Sequence, residues 1–335
     1  MVIDFMYFKI TPLRFIPCFI STLVLIVFIN LSAIMISYDI YKQTNKQFSD
    51  IESQNKDIKY PQEFKHAETF HQKEAISISS PFGYKLNGIF MPNTITTNKT
   101  ILFISGLPNA RDIDLDYLEI YFRSGFNVLL IESQSHEDSG GNSISWGRLE
   151  KYDISQWVNW IKHRIPDGPI GIHGVALGAA TALLHAELNE NEKNVSFYIA
   201  DSAYSDAESL FSFHIKQWLY SYIAEYKLPL LNNEFFSSII LHYVSYISYF
   251  YSHSTLQDTS PLHSVQHVTT PILYLHNEND KIVPSSMSFE LQHATKGPSQ
   301  LYLFPNSEHA SALADNQQLY NTAIYHFLQS LKELN

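Results

Sequence analysis

The residues whose types and spacing suggest chemistry lie in a glycine-flanked turn between an apolar run and a helix-like run. PIGIHG at 169–174 precedes the turn, Val-Ala-Leu-Gly occupies 175–178, and TALLHAEL follows at 181–188. A strand, a sharp turn and a helix in this order lift one side chain above the end of a sheet, where it can serve as a nucleophile. This chain has Ala176 at that position, and a methyl group cannot form a covalent intermediate.

Short apolar runs along the chain predict the strands that would hold such a turn. They lie at 76–80, 85–92, 100–105, 127–132, 169–174, 195–201, 271–276 and 300–304. Apolar residues at helical spacing lie between several of these runs, for example at 146–165. Alternating strands and helices form a mainly parallel sheet covered by helices on both faces, so the sequence predicts an α/β fold.

The alternation is interrupted between about residues 204 and 267, in a segment crowded with aromatic residues. A structureless loop of this length is uncommon in a compact domain. We therefore interpret the segment as a helical cap inserted over the carboxyl edge of the sheet. Three interpretations of the cap remain open: a satellite core that packs on itself, a substrate-binding lid, or a patch that meets a membrane surface.

Ligands bind to open parallel sheets beyond the carboxyl ends of the strands, so the residues after each predicted strand are the candidates for function. Besides the turn at 174–178, these segments are SGLPN at 105–109, SQSHEDSGG at 133–141, DSAY at 201–204, NENDKIVP at 277–284 and PNSEHAS at 305–311.

In this order, the segments resemble motifs of the α/β-hydrolase family over about residues 75–333, in particular of membrane-anchored bacterial members with a serine aminopeptidase-like or esterase-like domain. GVALG resembles the family's G-x-S-x-G elbow, with Gly174 and Gly178 at the glycine positions. LHNENDKIVP resembles the acid motif, with Asp280 at the acid, and NSEHASA resembles the segment that carries the catalytic histidine, at His309. The resemblance implies an α/β-hydrolase fold and an ancestral hydrolysis of esters or amides.

The resemblance also implies a role for each position. A serine in place of Ala176 would attack an acyl carbon, His309 would take its proton, and Asp280 would fix the imidazole tautomer. The backbone N–H groups of Leu107 and Leu177 are the expected oxyanion donors. Loss of the nucleophile costs about 10⁶ in turnover in a serine protease, so the chain is expected to be catalytically impaired.

Other departures from the family pattern accompany the alanine. Ser105 replaces a histidine in the oxyanion loop, the pair at 136–137 reads His-Glu instead of His-Gly, and Asn277 replaces a glycine in the acid motif. Several departures favour a natural pseudoenzyme. Two alternatives remain: an active serine-type hydrolase, with a displaced nucleophile such as Ser105 or Ser202 or as an engineered Ser-to-Ala form, and a non-catalytic membrane protein that binds a ligand or a protein.

The N-terminal part differs from the rest of the chain because residues 15–38 carry no charge. As a helix, these 24 residues would span roughly 36 Å, enough for a bilayer core. We expect a tail at 1–14, a single transmembrane anchor at 15–38, a polar stalk at 39–74 and the hydrolase domain at 75–335. The alternative is a cleaved signal peptide. The resemblance implies an extracytoplasmic domain.

Composition limits the partners. The net charge is −11 without any Lys/Arg-rich run, so we expect no nucleic acid. Cys18 is the single cysteine, which excludes a disulfide within the chain and a cysteine-based metal site. The histidine pairs His66/His71 and His263/His267 lack an HExxH-type spacing, so we expect neither a metal nor a cofactor. The expected partners are the membrane, through 15–38, and a small acyl or lipid-like ligand.

Overall fold

One mixed sheet runs through the part of the chain that the computed structural model describes, residues 20–21, 23–24, 27, 30–42, 72–105, 114–131, 144–226 and 234–333. Its strands are β1 (Glu74–Ser79), β2 (Lys85–Met91), β3 (Thr100–Ile104), β4 (Asn127–Ile131), β5 (Ile170–Val175), β6 (Phe197–Asp201), β7 (Ile272–Asn277) and β8 (Ser299–Phe304). The strand order is β1-β2-β4-β3-β5-β6-β7-β8. The pairs β1–β2 and β2–β4 are antiparallel, and all other neighbours are parallel. The predicted, mainly parallel sheet is confirmed.

Helices precede, separate and follow these strands. They are α1 (30–42), α2 (Asp114–Arg123), α3 (Glu150–Arg164), α4 (Leu177–Glu192), α5 (Ala207–Tyr226), α6 (Glu234–Ser252), α7 (Pro261–Val265), α8 (Ser286–Ala294), α9 (Ala312–Asp315) and α10 (Gln317–Glu333), with a 3₁₀ turn at Leu256–Asp258.

Helices cover both faces of the sheet, as the continuous apolar runs of the central strands predict. Every residue of β3 to β7 is buried. One core cluster joins the strands to Tyr121 of α2 and Phe327 of α10. A second cluster joins them to Trp157 of α3, Leu183 of α4 and Leu291 of α8. Strands that are buried on both faces have no polar alternation, which is why their sequences read as uninterrupted apolar runs.

The insertion between β6 and β7 is helical, as predicted, and consists mainly of α5 and α6, which pack on each other. A third core cluster joins Phe211 and Ile215 of α5 to Val244 of α6. The same cluster includes Leu177, the first residue of the helix that follows the glycine-flanked turn. Because it shares its core with the sheet domain, the insertion is not a satellite that packs only on itself.

Helix α1 packs against this insertion. Ser37 Oγ donates a hydrogen bond of 3.0 Å to the carbonyl of Ile240, and the rings of Tyr41 and Phe211 stack with centroids 6.4 Å apart. Ile40 and Tyr41, which belong to the segment predicted as a polar stalk, are buried. The predicted tail at 1–14 and residues 43–71 of the stalk lie outside the described residues.

The predicted anchor at 15–38 is described only in part, and its described positions are helical. Among the described residues, no helix combines the length and the apolar character that crossing a bilayer requires.

Candidate active site

The glycine-flanked turn has the conformation of a nucleophile elbow. Ala176 is the single residue between β5 and α4, and its backbone has φ 51° and ψ −116°. Its N–H donates to the carbonyl of Asp201 at 2.8 Å, and its carbonyl accepts from the N–H groups of Ala179 and Ala180, both at 3.1 Å. A residue with a Cβ in this region of φ/ψ space costs about 1–3 kcal/mol, which the surrounding hydrogen bonds offset. The structure therefore places Ala176 at the apex of a strained strand-to-helix turn.

Both elbow glycines are required by close backbone approach. A Cβ at Gly174 would lie 2.3 Å from the carbonyl oxygen of Gly178. A Cβ at Gly178 would lie 2.5 Å from the carbonyl oxygen of Ile104. Any side chain at these positions would therefore push α4 away from β5 and β3.

Asp280 and His309 form a buried pair on the turns that follow β7 and β8. Oδ2 of Asp280 lies 2.6 Å from Nδ1 of His309, and Oδ1 accepts from the N–H groups of Ile282 at 2.9 Å and Val283 at 2.8 Å. Burial opposes ionisation of Asp280, but the charge of His309 and hydrogen bonds from His276 and His309 outweigh it and lower its pKa. Burial likewise opposes protonation of His309, yet Asp280 raises its pKa above the ordinary value.

A second histidine, His276, contacts the same carboxylate. Its Nε2 lies 2.9 Å from the carbonyl oxygen of Val283 and 3.3 Å from Oδ2 of Asp280, and its Nδ1 lies 2.5 Å from Ser288 Oγ. With Nε2 protonated, the ring donates to the Val283 carbonyl and accepts from Ser288. His276 thereby stabilises the turn that carries Asp280. The sequence alone gives His276 no role, although its place four residues before Asp280 is a signal.

The cap lies over this pair. His214 of α5 makes a 3.0 Å hydrogen bond from Nε2 to the carbonyl of Ile282, two residues after Asp280. The pKa of His214 is lowered, mainly by burial and also by the charge of His309. The hydrogen bond to Ile282 and the charge of Asp280 act in the opposite direction. His214 therefore interacts electrostatically with both members of the pair, and the cap contacts the acid turn.

Solved structures share the fold of this chain. The structure is similar to the Pyrococcus furiosus esterase Pf2001, with a TM-score of 0.60 and 18% identity over 79% of this chain and 94% of that chain. It is similar to Est1E from Butyrivibrio proteoclasticus with bound ferulic acid, with a TM-score of 0.57 and 17% identity over 77% of this chain and 100% of that chain. The chain has the α/β-hydrolase fold.

Two known proteins are similar to the chain in sequence. The uncharacterized protein YqkD of Bacillus subtilis is 29% identical over 269 residues, 79% of this chain and 83% of that protein. The lysophosphatidylserine lipase ABHD12 of Macaca fascicularis is 24% identical over 199 residues, 58% of this chain and 45% of that protein. No protein-family model matches the chain.

Of the two oxyanion donors expected for an α/β-hydrolase, the structure describes one. Leu177 is the first residue of α4, so its N–H belongs to the helix N-terminus, where backbone donors lack intrahelical partners and favour negative charge. Leu107 lies outside the described residues, as does the loop at 133–141.

The two serines considered as displaced nucleophiles are both buried, and one is fully engaged. The Ser202 hydroxyl donates to Asp201 Oδ1 at 2.8 Å and accepts from Asn277 Nδ2 at 2.9 Å. These bonds and its complete burial argue against attack by Ser202 on a substrate. They also explain Asn277, a departure from the family pattern, because its amide holds Ser202 in place. Ser105 is buried at the end of β3.

A buried polar chain lies beneath the elbow of this α/β-hydrolase fold. The Tyr121 hydroxyl lies 2.7 Å from Nδ1 of His173, and Nε2 of His173 lies 3.2 Å from the hydroxyl of Tyr320. Tyr320 donates in turn to Oδ2 of Asp201 at 2.8 Å. Burial lowers the pKa of His173 to about 3 and raises that of Asp201. A neutral imidazole with its proton on Nε2 satisfies every member of the chain, so the network braces the strand that anchors Ala176.

The histidine pair His263/His267 lies apart from the hydrolase motifs, near Glu187. One ligand atom from each of the three residues lies within 4.8 Å of the others, and both histidines are exposed. Glu187 accepts a 2.7 Å hydrogen bond from Ser264 Oγ. Exposed groups of this kind are common without a metal, and the chemistry described above does not involve them.

Proposed function

We propose that this protein is a membrane-anchored pseudoenzyme of the α/β-hydrolase fold that binds an acyl or lipid-like ligand and forms no acyl-enzyme. The observation that carries the proposal is the conformation of Ala176. The elbow has its strained backbone and both sterically required glycines, and the position that they present is a methyl group. Covalent catalysis from this position needs a hydroxyl or thiol, and Ala176 supplies neither.

The Asp280–His309 pair supports binding rather than a decayed site. Both side chains are buried, and the pair is held by hydrogen bonds from Ile282 and Val283 and by contact with His276. An ordered, charge-bearing pair of this kind can orient the ester oxygen atoms of a bound ligand without reacting with them. Without a nucleophile, binding energy at this site is not converted into a covalent step.

The ligand class follows from the surroundings and from the relatives. The cap cluster that meets the elbow at Leu177 is built from apolar and aromatic side chains, which suit an acyl chain or an aromatic acid. One structural neighbour is called an esterase, another has ferulic acid bound, and a sequence relative is called a lysophosphatidylserine lipase. Two of these names concern ester hydrolysis, and the third names an aromatic acid as a bound ligand.

The anchor is a proposal from the sequence. The uncharged run at 15–38 is long enough to span a bilayer core, and we place the hydrolase domain on the extracytoplasmic side. Partitioning of full-length protein into membranes, and digestion of the domain by protease added to intact cells, would support this topology. Recovery of intact full-length protein in the soluble fraction without detergent would contradict it.

The alternative function is an active hydrolase with a displaced nucleophile, and the intact Asp280–His309 pair is the observation that favours it. The alternative is tested at Ser105, the other serine that follows a strand at this edge of the sheet. It predicts esterase activity in the wild-type chain that Ser105→Ala abolishes.

A fluorophosphonate probe separates the two functions, because it reacts only with an activated nucleophile. We expect no labelling of the wild type, labelling of Ala176→Ser, and loss of that label in Ala176→Ser/His309→Ala. Circular dichroism and thermal unfolding of each variant serve as the control for folding. Labelling of the wild type that Ser105→Ala removes would establish the alternative. A folded Ala176→Ser chain without label would show that more than the hydroxyl is missing.

A further inference from the structure

The exposed apolar side chains of this protein are concentrated on one part of the molecule. In the described part of the chain, twenty large apolar side chains are exposed, and fourteen of them lie on the N-terminal helix and the two cap helices. They are Ile20, Leu23, Val24, Val27, Leu31, Ile34, Met35 and Tyr38 at the N-terminus, and Tyr220, Phe235, Tyr246, Tyr249, Phe250 and Tyr251 on the cap. Scattered exposed apolar residues are normal, but a concentration of this kind marks an interaction surface.

Direct contacts join the N-terminal and cap side chains. The rings of Tyr41 and Tyr251 stack with centroids 6.0 Å apart, and the rings of Tyr251 and Phe250 lie 5.4 Å apart. Tyr38 also hydrogen-bonds to Tyr251. Together with the bond from Ser37 to the backbone of α6, these contacts fix α1 to α6. Wherever α1 is held, the exposed side of α6 is held beside it.

The composition of α6 suits the boundary between lipid headgroups and acyl chains. Residues 235–257 contain no aspartate, glutamate, lysine or arginine. The exposed stripe of α6 includes Phe235, His242, Tyr246 and Tyr249, spaced three to seven residues apart along one side of the helix. Tyrosine has an apolar ring and a polar tip, and for this reason it is enriched at membrane interfaces.

We infer that the exposed face of α6, together with α1, rests on the lipid bilayer, so that the cap lies in the headgroup region of the membrane. The inference rests on the proposed anchor. A bilayer fits better than a protein partner because residues 30–38 of α1 belong to the uncharged run at 15–38, and a run of that length is enough to span a bilayer core. The same cap contacts the turn of Asp280 through His214 and Ile282, so the element that would rest on the membrane is also the one that touches the acid turn.

The test uses full-length protein in phosphatidylcholine liposomes, with the single cysteine removed by Cys18→Ser. Tyr249→Cys places an environment-sensitive fluorophore on α6, and Tyr325→Cys places it on α10 as the matched control. Both tyrosines lie on helices and are equally exposed, 53% and 52%. Lipids brominated along the acyl chain should quench the label at residue 249 and leave the label at residue 325 unchanged. Phe250→Cys, at a side chain 76% exposed, gives a second probe of the same face.

Each outcome decides between the candidates. Quenching at 249 and 250 but not at 325 supports docking of the cap. Incorporation into liposomes without quenching at 249 or 250 overturns it and leaves the anchor intact. Failure to incorporate overturns docking and anchor together, while the fluorophosphonate experiment still decides the chemistry of the site. Emission at 249 that changes when the protein is diluted into excess lipid, with no effect of bromine, assigns the face to a second copy and overturns the inference.

Discussion

The imidazole Nδ1 of His309 lies 2.6 Å from Oδ2 of Asp280, and both groups are buried. Ala310, the next residue after His309, shares a core cluster with Ala176, which carries no hydroxyl. The acid and the base of a hydrolase-like site are therefore present, while the nucleophile position is occupied by Ala176. The energetics of the acid–base pair can be measured apart from any reaction, because each member changes the pKa of the other.

The first prediction concerns the pH dependence of stability. The folded-state pKa of His309 is raised, so its contribution is fully present below the unfolded value of about 6.5 and is lost as the pH rises through the folded value. His309→Gln keeps a donor for Asp280 but cannot become charged. The wild type should exceed this variant in free energy of unfolding most clearly near pH 6, and the difference should shrink toward pH 9, as measured by urea unfolding at each pH. A difference that does not change with pH would contradict the raised pKa.

The second prediction concerns a histidine that folding keeps neutral. Burial lowers the pKa of His185 to about 3, with Lys151 adding to the effect, and its Nδ1 lies 2.9 Å from the hydroxyl of Tyr198. A group with a lowered histidine pKa costs stability as the pH falls below about 6.5, by up to about 1.4 kcal/mol per pH unit. His185→Leu should therefore lose about one proton from the pH slope of unfolding between pH 6 and 4. An unchanged slope would show that His185 takes up a proton in the folded state.

The third prediction separates a steric clash from backbone strain. Gly178→Ala would put a Cβ 2.5 Å from the carbonyl oxygen of Ile104, without a positive φ at that glycine. Gly125→Ala is the control, because Gly125 has φ +77° and nothing within 4 Å of the added Cβ. The control should cost about 1 kcal/mol and the elbow variant about 2–4 kcal/mol, as measured by urea unfolding. Equal costs would mean that α4 moves away without penalty.

These glycines illustrate what the sequence predicts well. The strands read as continuous apolar runs because they are buried on both faces, and the spacing of Gly174 and Gly178 reflects a local turn. Contacts between distant segments leave no such pattern. The burial of Ile40 and Tyr41 against the cap depends on residues some two hundred positions away, and so they read as part of a polar stalk.

The same limit applies within the site. In the sequence, Asn277 is a departure from the resembled family motif, and its reason is the hydroxyl of Ser202, which lies at the end of a neighbouring strand. The role of Asp201 was also hidden, since its partner Tyr320 belongs to the last helix. Side chains that meet across a sheet edge are brought together by topology, and residue spacing does not encode that meeting.

The fourth prediction tests the role of Ser202. Its hydroxyl links Asp201 to Asn277 and is completely buried, so Ser202→Ala leaves two buried polar groups with one partner fewer. We expect a loss of about 1–3 kcal/mol in the free energy of unfolding. In the Ala176→Ser chain, the same substitution should leave the extent of fluorophosphonate labelling unchanged once the protein is folded. Loss of labelling on removal of Ser202 from a stably folded chain would make Ser202 a candidate nucleophile again.

The last prediction concerns His276, which we expect to position the acid rather than to react. Its hydrogen bond contributes to the lowered pKa of Asp280, and its ring is fixed between Val283 and Ser288. In the Ala176→Ser chain, the labelling rate should rise with pH as His309 becomes neutral, with a midpoint at the raised pKa of His309. His276→Phe keeps the ring volume but removes this donor, so the Asp280 carboxylate becomes a stronger acceptor and stabilises protonated His309 further.

The midpoint should then move to higher pH, and the maximal rate should fall because the acid turn loses a contact that positions it. Ser288→Ala is the control, since it removes only the contact at Nδ1, the nitrogen that faces away from the acid, and should shift the midpoint less. A merely structural role of His276 would lower the amount of folded protein without moving the midpoint. A lower maximal rate at an unchanged midpoint would therefore contradict a positioning role, and a shift in the predicted direction would show that the second histidine tunes the first through their shared carboxylate.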